Sequence, residues 1–207
     1  LDGALKFNRV LAAGRAQSAS RGGQERRGGS GIDYSASTHV PYDGRFAFVR
    51  LRYDMGERLG NFRGFRREPP WAHDYPRADR HLMKILSEIT LLRPHLEQSA
   101  VLTLDDPDLH NYPVAYMSEP GFWTLNDQEA DGLRTYLAKG GFLIFDDFRQ
   151  EHWVNFEAQM RRVLPAQRFV KLDPAHPVFH AFFELDPATF VSPYGGLTPM
   201  FYGLFED

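Results

Sequence analysis

The sequence predicts a three-layer α/β domain, a mainly parallel sheet with helices on both faces. Three observations carry that expectation. Strand-like and helix-like segments alternate along the chain, an order that implies right-handed crossovers and parallel pairing. The stretch "FLIF" (142–145) is a continuous apolar run of the kind found in strands buried on both faces. And 207 residues suffice for one domain with a sizeable core and a tail.

In chain order, residues 1–44 are rich in Gly, Ser, Arg and Gln, with "RGGQERRGGSG" at their centre and neither a helical nor a strand period. They read as a disordered tail, and a single Arg-Gly-Gly copy is a solvated linker before it is an RNA ligand. The folded domain is expected over 45–207. "RFAFVRLRYD" (45–54) alternates, with Ala47, Val49, Leu51 and Tyr53 on one face and Phe46, Phe48, Arg50 and Arg52 on the other, and predicts a strand. After a Gly-rich loop, Asp74 and Pro76 signal a helix start. Ala78, Leu82, Ile85, Leu86 and Ile89 then recur at intervals of three and four, an amphipathic helix of about four turns.

A short strand over 101–104 runs into the turn "DDPDLHNYP", and "VAYM" (114–117) is the next strand. Asn126 with Glu129 three residues on forms a capping box, Leu125 can staple against Ala130, and Leu133 and Leu137 continue the apolar stripe. Gly140 and Gly141 end that helix and lead into "FLIF". "NFEAQMRRVLP" then predicts a helix, "RFVKL" a strand, and "HPVFHAFFEL" a short helix with Pro177 in its first turn.

Composition excludes several functions. With 24 Lys and Arg against 27 Asp and Glu the net charge is -3, so no global field favours nucleic acid, which is not an expected partner. The absence of cysteine removes disulfides, thiolate metal sites, iron-sulfur ligation and a cysteine nucleophile. No window reaches the roughly 18 apolar residues of a membrane span. Small residues at Ala12, Ala13, Gly14 and Ala16 have the look of a signal-cleavage remnant, although no apolar core precedes them.

In open α/β sheets ligands bind beyond the carboxyl ends of the strands. Those ends carry Asp54, Asp105 and Asp106, Ser118 and Glu119, and Asp146 and Asp147. Asp146, Asp147 and His152, helped by Asp105 or Glu119, could hold a hard cation, but their spacing matches no metal motif, so neither metal nor cofactor is expected. Adjacent strand residues point in opposite directions, so one Asp at most faces a given ligand. His176 and His180, four apart, are a weaker pair. Ser118 follows a strand as an elbow serine would, yet "YMSEPGF" lacks the paired glycines of a nucleophile elbow. The loop "GERLGNFRGFRREPPWAHDYP" (56–76) sets Arg58, Arg63, Arg66 and Arg67 among Phe62, Phe65 and Trp71. Such a loop can close over an anionic or sugar ligand, or cover the sheet edge while its arginines stay solvated.

"FVRLRYD", "DYPRADRHL", "YPVAYMSEPGFWTLNDQEADGLRTYLAKGGFLIFDDF" and "HPVFHAFFEL", in this order, resemble the bacterial family called domain of unknown function 4159, from Phe46 to the C-terminus. The resemblance implies a flavodoxin-like sheet related to class I glutamine amidotransferase and trehalose-utilisation folds. The "HPVF" turn at His176 is similar to the His-Pro-Ile turn of the latter. It also implies a periplasmic or envelope location, and a further strand past "MFYGLFED", so the chain is expected to be a truncated fragment. The amidotransferase nucleophile is a cysteine, which this chain lacks. Two functions follow as expectations. One is a non-catalytic envelope module that recognises a glycan or partner protein through Arg63, Arg66, Trp71 and Asp146. The other is a hydrolase of a sugar or sugar ester, using Asp147 with Glu119 or His152 as acid, base or metal ligand.

Overall fold

The computed structural model describes residues 34, 37–56, 68–148, 152–191 and 199–205, together with the backbone of 10–14. Among these, β1 (Val10–Gly14), β2 (Val49–Leu51), β4 (Ala100–Leu102), β5 (Val114–Ser118), β7 (Phe142–Phe148), β8 (Val170–Lys171) and β9 (Met200–Leu204) form one sheet. A separate two-stranded ribbon pairs β3 (Asp54–Met55) with β6 (Trp123–Thr124). The sheet order is β4-β2-β5-β7-β1-β9-β8. Pairing is parallel from β4 through β1 and antiparallel at β9 and β8. Taken from β2 onward, the first four main-sheet strands stand in the order second, first, third, fourth, which is the flavodoxin-like winding.

The chain leaves β2 through α1 (Arg77–Ile89) toward one edge, and leaves β5 through α2 (Asp127–Ala138) toward the other. Right-handed crossovers run in opposite directions put the two helices on opposite faces. The third helix, α3 (Trp153–Val163), packs beside α2. The predicted capping box is present: Asn126 Oδ1 accepts from the Glu129 amide and Glu129 Oε2 from the Asn126 amide, each at 2.9 Å. Gly140, at φ 101°, ends α2 in the left-handed conformation that glycine adopts without strain. Leu51, Leu102, Met117, Trp123, Phe145 and Phe156 are all under 2 % exposed and centre the core, each apolar side chain contributing roughly 1.5–3 kcal/mol by burial.

Three segments depart from the sequence reading. Val10–Gly14, assigned from composition to a disordered tail, is β1 and pairs with both β7 and β9. Thr38 also bridges Val101, and Val40 is buried in the core. An average over 44 residues hides a five-residue apolar strand whose partners lie in the far half of the chain. In α1 the predicted stripe is outward, with Leu82, Ile85 and Ile89 exposed, while Asp79 and Met83 are buried. Its inward face is chosen by an ion pair with β2 rather than by apolar periodicity. Finally, "HPVFHAFFEL" forms only a 3₁₀ turn, Pro177–Phe179, closed when His176 Nδ1 accepts from the Val178 amide. Phe182 and Phe183 stay exposed, so no burial rewards a longer helix.

Candidate functional site at the carboxyl edge

Three non-glycine residues have left-handed backbone among the described residues, Asp74 (φ 60°), Glu119 (φ 47°) and Asp147 (φ 65°), and all three meet at one place. Such conformations cost of order 1–3 kcal/mol each and persist where surrounding structure enforces them. Glu119 directly follows β5, and its amide donates to the Asp146 carbonyl at 3.0 Å. The Tyr53 hydroxyl lies 2.6 Å from the Glu119 carbonyl and 3.0 Å from that of Ser118 and donates between them. Burial pushes the Tyr53 phenol far above its ordinary range, with the nearby Glu119 charge adding to it, so that donor keeps its proton.

Asp147 is turned by an irregularity in β7. Ala12 of β1 pairs with Phe145, but Gly14 pairs with Phe148, so β7 carries one extra residue there. A bulge of this kind re-aims a side chain. The Asp147 amide donates to Asp146 Oδ1 at 2.7 Å, and the two carboxylates part company. Asp146 Oδ2 accepts from the Tyr116 hydroxyl at 3.4 Å, whereas Asp147 faces the loop after β2.

That loop supplies His73. A 3₁₀ turn, Pro70–Ala72, buries Trp71 and delivers His73 to the rim. Arg50 Nη1 donates to the Trp71 carbonyl at 3.0 Å and to the His73 carbonyl at 3.3 Å, which pins the loop to β2. His73 Nδ1 then lies 3.0 Å from Glu119 Oε1 and 3.2 Å from Asp147 Oδ2, while its Nε2 is 3.9 Å from Asp74 Oδ2. The carboxylate side chains are 8 % and 10 % exposed and the imidazole 31 %, so the group opens to solvent through the histidine. Hydrogen bonding to Asp147, then to Glu119, outweighs desolvation and pushes the His73 pKa up to about 10, so the ring is an imidazolium at neutral pH.

Beneath this centre, Arg50 and Asp79 form an ion pair with both side chains 1 % exposed. Arg50 Nε donates to Asp79 Oδ1 at 3.1 Å, Ser99 donates to Asp79 Oδ2 at 3.0 Å, and the guanidinium lies 5.0 Å from the Tyr116 ring centroid.

Of the residues singled out from sequence, the structure brings Glu119 and Asp147 together. His152 stands at the N-terminus of α3 with its ring 4.4 Å from that of Phe122 and its Cβ against Gly121. Trp71 is 4 % exposed and packs edge-on to Tyr34, so its ring belongs to the core and offers no face to a ligand. Arg63 and Arg66, with Arg58 and Arg67, lie outside the described residues. Ser118 is buried, and His180 is turned to Glu184 and the Pro174 carbonyl. His73 carries no sequence signal of its own: it lies inside the long loop of arginines and aromatics, and no local spacing links it to Glu119 or Asp147.

These features define an α/β flavodoxin-like domain with a charged centre at the carboxyl ends of its sheet. A family signature covers all of this sheet but β1. The chain belongs to the family described as a domain of unknown function (DUF4159), which matches residues 47–207. No curated protein matches it.

Proposed function

We propose that the carboxyl edge is a hydrolytic acid–base centre for a hydroxyl-rich substrate, a sugar or sugar ester. The carrying observation is the convergence of His73, Glu119 and Asp147, the two carboxylates held on left-handed backbone that relaxed residues would not adopt. Glu119 or Asp147 accepts a proton from the attacking water, and the His73 imidazolium donates one to the departing oxygen. The proton then returns from carboxylic acid to imidazole. Water is the nucleophile in this reading, and the lack of cysteine removes the cysteine-dependent amidotransferase route. Half-buried Phe122, beside Glu119 and against the His152 ring, offers an apolar wall for a sugar face. The periplasmic or envelope location that the family resemblance implies would put envelope glycans within reach. No helix of the described residues is long and apolar enough to cross a membrane.

The test is turnover of acetylated sugars and aryl glycosides by the full chain. Asp147→Asn and His73→Gln are expected to lower kcat by about 100-fold or more, the usual worth of a positioned acid or base. A second reading, a non-catalytic module binding a glycan or partner protein, is favoured by the charge balance within the triad, where the imidazolium already contacts both carboxylates. It would show as calorimetric sugar or partner binding, lost in Glu119→Gln, with no turnover. Neither turnover nor binding would overturn both readings.

A further inference from the structure

The spacing of His73 from the two carboxylates is that of ligands around an ion. Two atoms each about 2.1 Å from a common cation, at angles between 90° and 109°, are about 3.0–3.4 Å apart. His73 Nδ1 is 3.0 Å from Glu119 Oε1 and 3.2 Å from Asp147 Oδ2, and all three ligand atoms lie within 4.8 Å of one another. The other ring nitrogen of His73 faces the Asp74 carboxylate at 3.9 Å. That separation is an ion-pair distance, and a small closing shift would make Asp74 the outer hydrogen-bond partner that metal-bound histidines commonly have. The backbones of all three are separately fixed, His73 by Arg50, Glu119 by Tyr53 and Asp147 by its bond to Asp146.

We infer that His73, Glu119 and Asp147 bind a first-row divalent cation, Zn2+ or Mn2+ in chemical type. One imidazole nitrogen with two carboxylate oxygens suits these ions better than Ca2+, which takes six to eight oxygens. Three protein ligands leave coordination positions open on the exposed side for water and a substrate oxygen. The inference does not rest on the hydrolytic reading: an ion on His73 Nδ1 would take the place of the proton used there, so binding is judged on its own. A second cluster, His39 with Asp106 and Asp108, has an exposed imidazole and an exposed Asp108, and serves as the internal control.

The experiment titrates the chelator-treated full chain with ZnCl2 and MnCl2, with MgCl2 and CaCl2 for comparison, by calorimetry and thermal shift. One-to-one binding and a saturable rise in Tm are expected. Affinity should weaken by about 100-fold or more in Asp147→Asn and Glu119→Gln, since even outer-partner changes cost 10–100-fold, and stay unchanged in His39→Gln. Because a variant can lose Tm for structural reasons, the paramagnetic resonance of bound Mn2+ in the wild-type chain gives a readout independent of stability. A free-ion signal at saturating protein, or binding lost with His39 and kept without Asp147, overturns the inference. Cation binding without turnover leaves it standing and removes the hydrolase. Turnover that persists in chelator and is unchanged when ZnCl2 is added back overturns the inference, because an ion on His73 Nδ1 would displace the proton that the reaction uses.

Discussion

Two charged assemblies share one end of this fold, and they are built in opposite ways. Arg50 and Asp79 sit on regular elements, β2 and α1, almost wholly out of solvent, with Ser99 and loop carbonyls meeting their remaining hydrogen-bonding groups. His73, Glu119 and Asp147 sit where regular structure stops, two of them on left-handed backbone, with the imidazole open to water. The first assembly is finished: no group in it turns toward a ligand. The second is held in place by the first, because Arg50 also fixes the His73 carbonyl. A buried pair therefore sets the geometry, and a triad open to solvent through its histidine is left to use it.

The comparison breaks most sharply at Arg50. Arg50→Met strands the Asp79 carboxylate in the core, and removing one partner of a buried pair costs about 3–5 kcal/mol. Urea unfolding should show that loss, and Arg50→Met with Asp79→Leu should recover a large part of it, as apolar replacements of buried pairs often do. A double variant no better than the single would mean that Arg50 matters chiefly through the Trp71 and His73 carbonyls. A smaller effect is expected at Gly121→Ala. The new Cβ would stand 2.1 Å from the Cβ of His152, so the start of α3 must move, at about 1–3 kcal/mol for overpacking. An unchanged urea midpoint would show that this rim yields freely.

Much of the fold was legible because it rests on local signals. The Asn126 and Glu129 box, the Gly140 stop and the apolar run into β7 needed no knowledge of distant residues, and they place Asp147 at the correct edge. Strand alternation predicts that Asp146 and Asp147 part, but the structure parts them by the β7 irregularity and the left-handed backbone of Asp147. What escaped was non-local. Val10–Gly14 finds its partners in β7 and β9, and α1 turns Asp79 inward because Arg50 waits on β2. His73 joins Glu119 and Asp147 only after the loop, the left-handed turn and the β7 bulge have each formed, and a bulge has no composition to betray it.

The smallest expected effect separates the two assemblies by pH, in chelator-treated protein. The His73 pKa is raised from its ordinary 6.5 to about 10 by Asp147 and Glu119, so the folded state holds this proton more tightly than the unfolded chain. Its contribution is complete below about pH 6.5, declines as pH rises, and is gone above about pH 10. Because the ring is partly in solvent, screening leaves roughly 1 kcal/mol of it. Wild type should therefore lose Tm relative to His73→Gln across that window, the difference being largest at the acid side. Arg50→Met, which acts on the other assembly, is the reference against which that slope is read. A difference independent of pH from 6 to 10 would mean that His73 is neutral in the folded state, and that the carboxyl edge is tied together by something other than its charge.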